Sequence, residues 1–476
     1  MTGDAALDVQ RYATPARPVG LRAVEIGADA LLRLPAIIGS IGTPRPAGRI
    51  VVLSDTVKKK RLGAEATELV TSLLAGLGDV RRVTVRDSPG GVHADERTVA
   101  AAAEAAAGAS VIVVVGSGTV ADIGKAVAVR LGDPALVVVQ TALSVNGYAD
   151  DQSVLLIDGV KRTTPTRWPD ALIADTQLLA EAPLPLNLAG VGDLLAMFTA
   201  PADWRIASLL GMDDTYADDV VTMVREHGQA LLQAAPLLRE ANASAIELTA
   251  KVLTLSGLGM GLAGTTAPAS GAEHTVSHLL EMAATRQGQP NAYHGAQVGV
   301  SAVLAALIWQ HVRRRVRAGT RLMRYPSEDE MRPALMRAFG SLDPSGAMAD
   351  ECWRDYQRKL ARWRERHGDA DQLDPAQLDD AARLLEEPAV LRAALRRSGA
   401  PARMSQLSPP VDAETARWAL ANCHLMRARF TVVDLAFLLG IWQPADVDAV
   451  LAVAGTSSTG STGTGITGTG TAGAGP

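Results

Sequence analysis

Four short runs rich in valine and other aliphatic residues, each separated by a stretch with helical periodicity, limit what this chain can fold into more than any other feature. They are RIVVLSD at 49–55, VRRVTVRD at 80–87, SVIVVVG at 110–116 and ALVVVQT at 135–141. The intervening segments 64–77, 96–107 and 120–131 read as helices. Side chains of a strand alternate between its two faces, so a strand apolar at consecutive positions is covered on both. Such strands joined by helices give a parallel sheet sandwiched between helical layers. The expectation is a Rossmann-like α/β domain over 1–185, with ligands at the carboxyl ends of the strands.

The third run leads directly into GSGTVADIGK (116–125). A glycine-rich turn between strand and helix offers bare backbone N–H groups and a helix N-terminus to a pyrophosphate. Gly116 and Gly118 permit close approach, and Asp122 is placed in the first helical turn. An ordinary strand-to-helix turn is the competing reading. The acidic residue that dinucleotide folds carry about 20 positions later is missing, because the next run ends near Gln140. Asp55, closing the first run, is read either as its substitute against the adenosine ribose or as a helix N-cap. In the first role its carboxylate favours NAD over NADP, whose 2′-phosphate would face it.

The stretch EAPLPLNLAGVGD (181–193) interrupts the pattern with two prolines and is read as the interdomain boundary. Helical periodicity then dominates, so 186–453 is expected to be an all-helical domain. Within it 355–398, dense in Arg, Asp and Glu, reads as a solvated helical pair. The Gly/Ser/Thr-rich end, 454–476, cannot build a core and reads as a disordered tail.

Three segments of the helical part carry polar groups in apolar surroundings: Asp193 in 189–200, His274 and His278 one turn apart in 269–282, and His294 heading HGAQVGV. Buried polar groups need partners. A carboxylate with two imidazoles leaves a divalent cation an open position for substrate or water. Taken singly, each histidine also fits a hydrogen-bonded core or cap position.

Bulk properties narrow the partners. At 476 residues the chain exceeds one compact core. Its net charge of -5 argues against nucleic acid. Two distant cysteines, Cys352 and Cys423, give neither a disulfide framework nor a thiolate metal site and fit a reducing cytoplasm. The opening residues lack the basic-then-apolar order of a signal peptide. No run of about 20 strongly apolar residues is evident, so no membrane span is expected.

The phosphate loop, TALSVNGYADD (141–151), ALIADTQLL (171–179), GVGDLLAMFTAPADW (190–204), SGAEHTVSHLLEM (270–282), HGAQVGV (294–300) and CHLMRARFTVVDLAFLLG (423–440) resemble, in order, the sn-glycerol-1-phosphate dehydrogenases. The similarity spans about 20 to 445 and is greatest to their bacterial branch. These enzymes share a superfamily with dehydroquinate synthase, glycerol dehydrogenase and iron-containing alcohol dehydrogenase. The resemblance implies a dehydroquinate synthase-like fold and one metal ion on Asp193, His274 and His294. Zinc suits that donor set best, and nickel or iron also fit. It implies NAD or NADP, with Gly116, Gly118, Thr119 and Asp122 by the phosphates and Thr141 and Ser144 nearer the nicotinamide. It places His278 beside the reacting centre as a proton relay. The implied reaction is hydride transfer at the secondary alcohol or ketone of a small polyol or polyol phosphate; a homo-oligomer is expected, with the cytoplasmic location read from the cysteines.

Departures from the family pattern bear on metal and substrate. Iron-dependent relatives have a histidine where this chain has Met197, and dehydroquinate synthases have glutamate at the place of Asp193. Asn146 replaces an aspartate suited to grip a substrate hydroxyl, and Ala267 stands where an arginine is usual. Lys161 and Arg162 either compensate for that lost cation or solvate a loop. A cyclase or lyase using NAD transiently, a dehydrogenase for an unphosphorylated or modified polyol, and a non-catalytic binding relative remain as alternatives.

Overall fold

The computed structural model describes residues 6–41, 48–86, 92–157 and 160–456. Most of the expected tail, 457–476, lies outside them. The first part is built on a six-stranded sheet of β1 (Ala23–Gly27), β2 (Arg49–Ser54), β3 (Asp79–Thr84), β4 (Ala109–Gly116), β5 (Ala135–Gln140) and β8 (Ala171–Asp175). Its order is β1-β8-β5-β4-β2-β3, and every pairing is parallel. Between β5 and β8 an antiparallel hairpin, β6 (Gln152–Ile157) and β7 (Val160–Pro165), stands apart from the sheet.

All four expected strands form. The sheet gains β1 and β8, missed because the first is short with a glutamate in it and the second has only five residues. Alternation divides the strands cleanly. Ile50, Val52, Val111, Val113, Val115, Val137 and Val139 pack in one cluster with helices α1 (Leu34–Ser40) and α2 (Ala66–Leu74). Val51, Leu53, Ile112, Val114, Leu136 and Val138 face the opposite layer, with α3 (Glu96–Ala105) and α4 (Gly118–Arg130). The chain leaves β2 toward β3 and leaves β4 toward β5. The crevice between the ends of β2 and β4 is therefore the topological switch point.

The segment read as a boundary is itself helical. Pro183 precedes α5 (Leu184–Leu194) and Pro185 lies in its first turn, where a missing N–H costs nothing. The remainder is mostly helical rather than wholly so: Leu322–Arg324 and Ala370–Gln372 form a small antiparallel pair, β9 and β10. The helices that matter for the site are α6 (Ala243–Ala263), α7 (Ala272–Arg286) and α8 (His294–Arg317). One apolar cluster runs from the sheet's second face through all three.

The expectation that no stretch is apolar enough to cross a membrane is corrected. Leu184–Leu209, Ala243–Ala263 and His294–Arg317 each meet the length and hydropathy of a span. They are 83%, 78% and 94% buried within the fold, which accounts for helices apolar on every side.

Candidate active site and metal centre

Glycines decide where the helices meet. A Cβ on Gly192 would lie 2.2 Å from the carbonyl oxygen of Gly295, and one on Gly295 would lie 2.0 Å from that of Ala189. Only bare backbone allows α5 and α8 to approach so closely, and the contact sets Asp193 beside His294. A Cβ on Gly190 would meet the Leu143 carbonyl oxygen at 2.0 Å, and one on Gly257 of α6 the Asn146 oxygen at 2.4 Å. The loop after β5 is thus clamped between α5 and α6. From it the Asn146 N–H donates to Asp193 Oδ2 at 2.9 Å.

Asp193, His274 and His294 offer ligand atoms that all lie within 4.8 Å of one another. Asp193 Oδ1 is 3.4 Å from His274 Nε2 and 3.9 Å from His294 Nε2. This oxygen is buried yet accepts no hydrogen bond, the condition of a donor awaiting a cation. The donor set fits zinc or a similar divalent ion. His278, Glu281 and His294 also converge within 4.8 Å. There, however, Glu281 Oε1 sits 3.1 Å from His294 Nδ1, the ring nitrogen turned away from Asp193. Glu273 Oε1 stands in the same relation to His274 Nδ1, also at 3.1 Å. Both imidazoles are therefore backed by a carboxylate that fixes the tautomer and presents Nε2 to the common point.

The electrostatics agree. Burial alone would lower the His274 pKa, but Asp193 and Glu273 outweigh it and lift it to about 9 in the metal-free site. Burial would raise Glu281, yet Lys161 and His294 hold it down to about 2. His278 is pushed well below its ordinary value, by burial first and then by Arg427. The Arg427 guanidinium donates to His278 Nδ1 at 2.6 Å, so the ring's proton resides on Nε2.

Two adjoining cavities open on this centre. One of about 600 Å³ is lined by Asp55, Lys58, Lys59, Lys60, Ser117, Gly118, Thr119, Thr141 and Ser144, among others. It occupies the switch point and has the character of a dinucleotide cleft. The other, about 410 Å³, is lined by Asp122, Asn146, Lys161, His274, His278, Glu281 and Arg427. Gly118, Thr119, Val145, Tyr293 and His294 line both.

Several residues stand differently from the expectation. Gly116 lines neither cavity; its missing Cβ makes room for Val120, 2.4 Å away, so it serves strand–helix packing. Asp122 is the fifth residue of α4, beyond its first turn, and lines the metal-side cavity rather than the cleft. Burial raises its pKa to about 7, partly offset by Lys125. Asp55 caps no helix: it accepts from the Val57 N–H at 3.0 Å and pairs with Lys59. The lysine neutralises the carboxylate that was to repel a 2′-phosphate, so the case for NAD over NADP lapses. Met197 is buried, and a Cβ on Gly228 would touch its sulfur at 3.1 Å, so it is core. Lys161 faces the cavity and pairs with Glu281 at 2.7 Å, whereas Arg162 is bound to Glu351 and Asp355.

Glu273, Glu281 and Arg427 escaped the sequence reading. A signal for Glu281 existed, since 274, 278 and 281 follow i, i+4, i+7 along one helix face. None existed for Arg427.

A family model described as iron-containing alcohol dehydrogenase matches residues 25–183. A glycerol-1-phosphate dehydrogenase [NAD(P)+] of Bacillus licheniformis is 30% identical over 427 residues, covering 89% of this chain and 90% of that protein. The chain belongs to the glycerol-1-phosphate dehydrogenase family. As a member it is a dehydrogenase acting on a CH–OH group. A second relative of the same description, from Halalkalibacterium halodurans, is 33% identical over 53% of this chain and 63% of its own length. The crystal structure of a probable glycerol dehydrogenase from Sinorhizobium meliloti superposes with a TM-score of 0.57, covering 91% of this chain and 97% of that one. At 16% identity it supports the fold alone.

Proposed function

We propose that this family member is a metal-dependent, NAD(P)-linked dehydrogenase that interconverts the secondary alcohol and ketone of a glycerol-phosphate-like polyol. The observation that carries the reading is spatial. The candidate ligands Asp193, His274 and His294 converge where His294, Gly118 and Thr119 form a wall common to both cavities. The names of the curated relatives, glycerol-1-phosphate dehydrogenases using NAD(P)+, support the substrate and cofactor class.

Asp193, His274 and His294 would hold the metal, and one carboxylate with two imidazoles favours zinc. When bound, the cation would supply Lewis acidity and the nicotinamide a hydride donor or acceptor. The protein's own groups do the rest. Glu273 and Glu281 keep both ligand rings in register. Thr119 and Tyr293 border the passage between cofactor and substrate, where near-attack placement is set. His278, with its proton on Nε2, can donate a hydrogen bond to the substrate oxygen and orient it. Asn146 donates its Nδ2 to Ser256 Oγ at 3.0 Å, which leaves its Oδ1 to accept from a substrate hydroxyl.

The test combines metal analysis of the purified protein with NADH and NADPH oxidation on dihydroxyacetone phosphate, dihydroxyacetone and related keto sugars. About one divalent ion per chain and turnover of a triose ketone are expected, with turnover abolished in His294→Ala while the circular dichroism is kept. Full activity in that variant rules out the scheme. Nicotinamide that co-purifies and is never consumed points instead to the cyclase class.

A further inference from the structure

The charged groups lining the metal-side cavity are matched, with one exception. Glu281 is paired with Lys161 at 2.7 Å, and Asp150 with Lys125 at 2.5 Å. Asp122 is 3.9 Å from Lys125 as well. Arg427 is only 9% exposed and has no carboxylate within ion-pairing distance among the described residues. Its guanidinium donates to His278 Nδ1 and, at 3.4 Å, to the Lys161 carbonyl oxygen. Burial, and then Arg429 and Arg162, bring its pKa down to about 9 against the weaker opposing pull of Asp355. A buried cation with no carboxylate in contact is unfavourable unless something in the working state supplies one.

Asp355 reaches Arg427 only from beyond ion-pairing distance and is already shared by Arg162 and Arg358, and the basic neighbours cannot supply a counter-charge. Arg429 is committed to the loop before α7, donating to the Ser270 carbonyl oxygen and at 2.5 Å to Thr266 Oγ1. That loop contains Ala267, buried and unable to bind an anion. It also presents Thr266 and Ser270 to the cavity. Arg427 stands one imidazole from the candidate metal site, since the His278 and His294 ring centroids are 5.3 Å apart. An anionic group on the guanidinium would therefore belong to a small molecule whose other end reaches the ligand trio. Of the small anions, a phosphate monoester best matches a planar fork of donors with a second cation nearby.

We propose that Arg427, assisted by Lys161, is the anion grip of the substrate cavity and selects for a phosphorylated polyol. This rests on the dehydrogenase reading for its substrate. The grip itself is a binding property that can be measured without turnover.

Inorganic phosphate is titrated calorimetrically against the full chain, in wild type, Arg427→Met, Arg427→Lys and Lys161→Met. In parallel, kcat/KM is measured for dihydroxyacetone phosphate and for dihydroxyacetone. Charge-assisted hydrogen bonds of this kind translate to a loss of about 10- to 100-fold. Phosphate affinity should fall by that factor in Arg427→Met, and the ratio of kcat/KM for the phosphorylated over the plain ketone should fall in step. Arg427→Lys should recover part of both, and Lys161→Met should lose less. Lys161 lies on a hairpin and is 29% exposed, so its variant keeps the test alive if the arginine variant misfolds. An unchanged ratio and unchanged phosphate binding overturn the assignment, as does an equal loss on both ketones. Should the wild type reduce neither ketone, the dehydrogenase reading falls, while phosphate binding that depends on Arg427 still upholds the grip.

Discussion

Gly192→Ala offers the sharpest test of how the centre is assembled. The added Cβ would sit 2.2 Å from the Gly295 carbonyl oxygen, where ordinary contact begins at 3.4 Å. The atom it meets is backbone on a buried helix, so no rotamer change relieves the clash. Helices α5 and α8 must part by about 1.2 Å at this point. Asp193, the next residue, travels with α5 while His294, the residue before Gly295, stays with α8. Metal sites tolerate deviations of only about 0.2 Å per ligand, and a misplacement of about 1 Å at a catalytic centre costs on the order of 100-fold.

The expected outcome is a destabilisation of about 1–3 kcal/mol, typical of overpacking, together with a fall of at least about 100-fold in divalent-metal affinity. Chelator competition reads the second and thermal unfolding with and without metal reads the first. Gly39→Ala is the control: it is an exposed helical glycine with nothing within 4 Å of its added Cβ. It should be neutral or stabilising by about 0.5–1 kcal/mol. If Gly192→Ala binds metal as tightly as the wild type, glycine-mediated helix contact is not what brings the ligands together.

Three other outcomes follow from the same geometry. Glu281→Gln should weaken metal binding by about 10- to 100-fold, because His294 loses the carboxylate behind Nδ1; competition with a chromogenic chelator measures it. Lys59→Ala should uncover the Asp55 charge and raise the NAD over NADP preference by roughly tenfold or more, read as a ratio of kcat/KM values. The folded pKa of Asp122 lies above its unfolded value, at about 7 against 3.8. Its contribution to stability is therefore complete below pH 3.8 and is lost as pH rises through 7. Asp122→Asn should accordingly flatten the decline in the Tm of the metal-free protein between pH 4 and 8; an unaltered profile would refute the shift.

Local pattern revealed the inner sheet because β4 and β5 announce themselves residue by residue: Val113, Val114, Val138 and Val139 are all fully buried. β1 and β8 escaped because an edge strand need hide only part of itself and five residues leave little periodicity. Asp193, His274 and His294 were legible for the opposite reason, as polar groups in apolar stretches that would be costly without a partner. The same logic could have found Glu281. It could not have assigned Arg427, since an arginine between Met426 and Ala428 looks like any other basic residue in a helical region.

Sequence by itself determined the parallel sheet, the glycine-rich turn between β4 and α4 and the identities of three candidate ligands. Each depends on short-range properties of the chain: side-chain periodicity, glycine at a turn, and the cost of burying charge. The tertiary structure alone decided which charges meet. It gave Lys161 to Glu281 and Arg162 to Glu351, turned Asp122 toward the metal-side cavity, and set Arg427 against His278 across 149 positions. Electrostatic partnership falls off over a few ångströms of space and is indifferent to distance along the chain, so packing alone settles it.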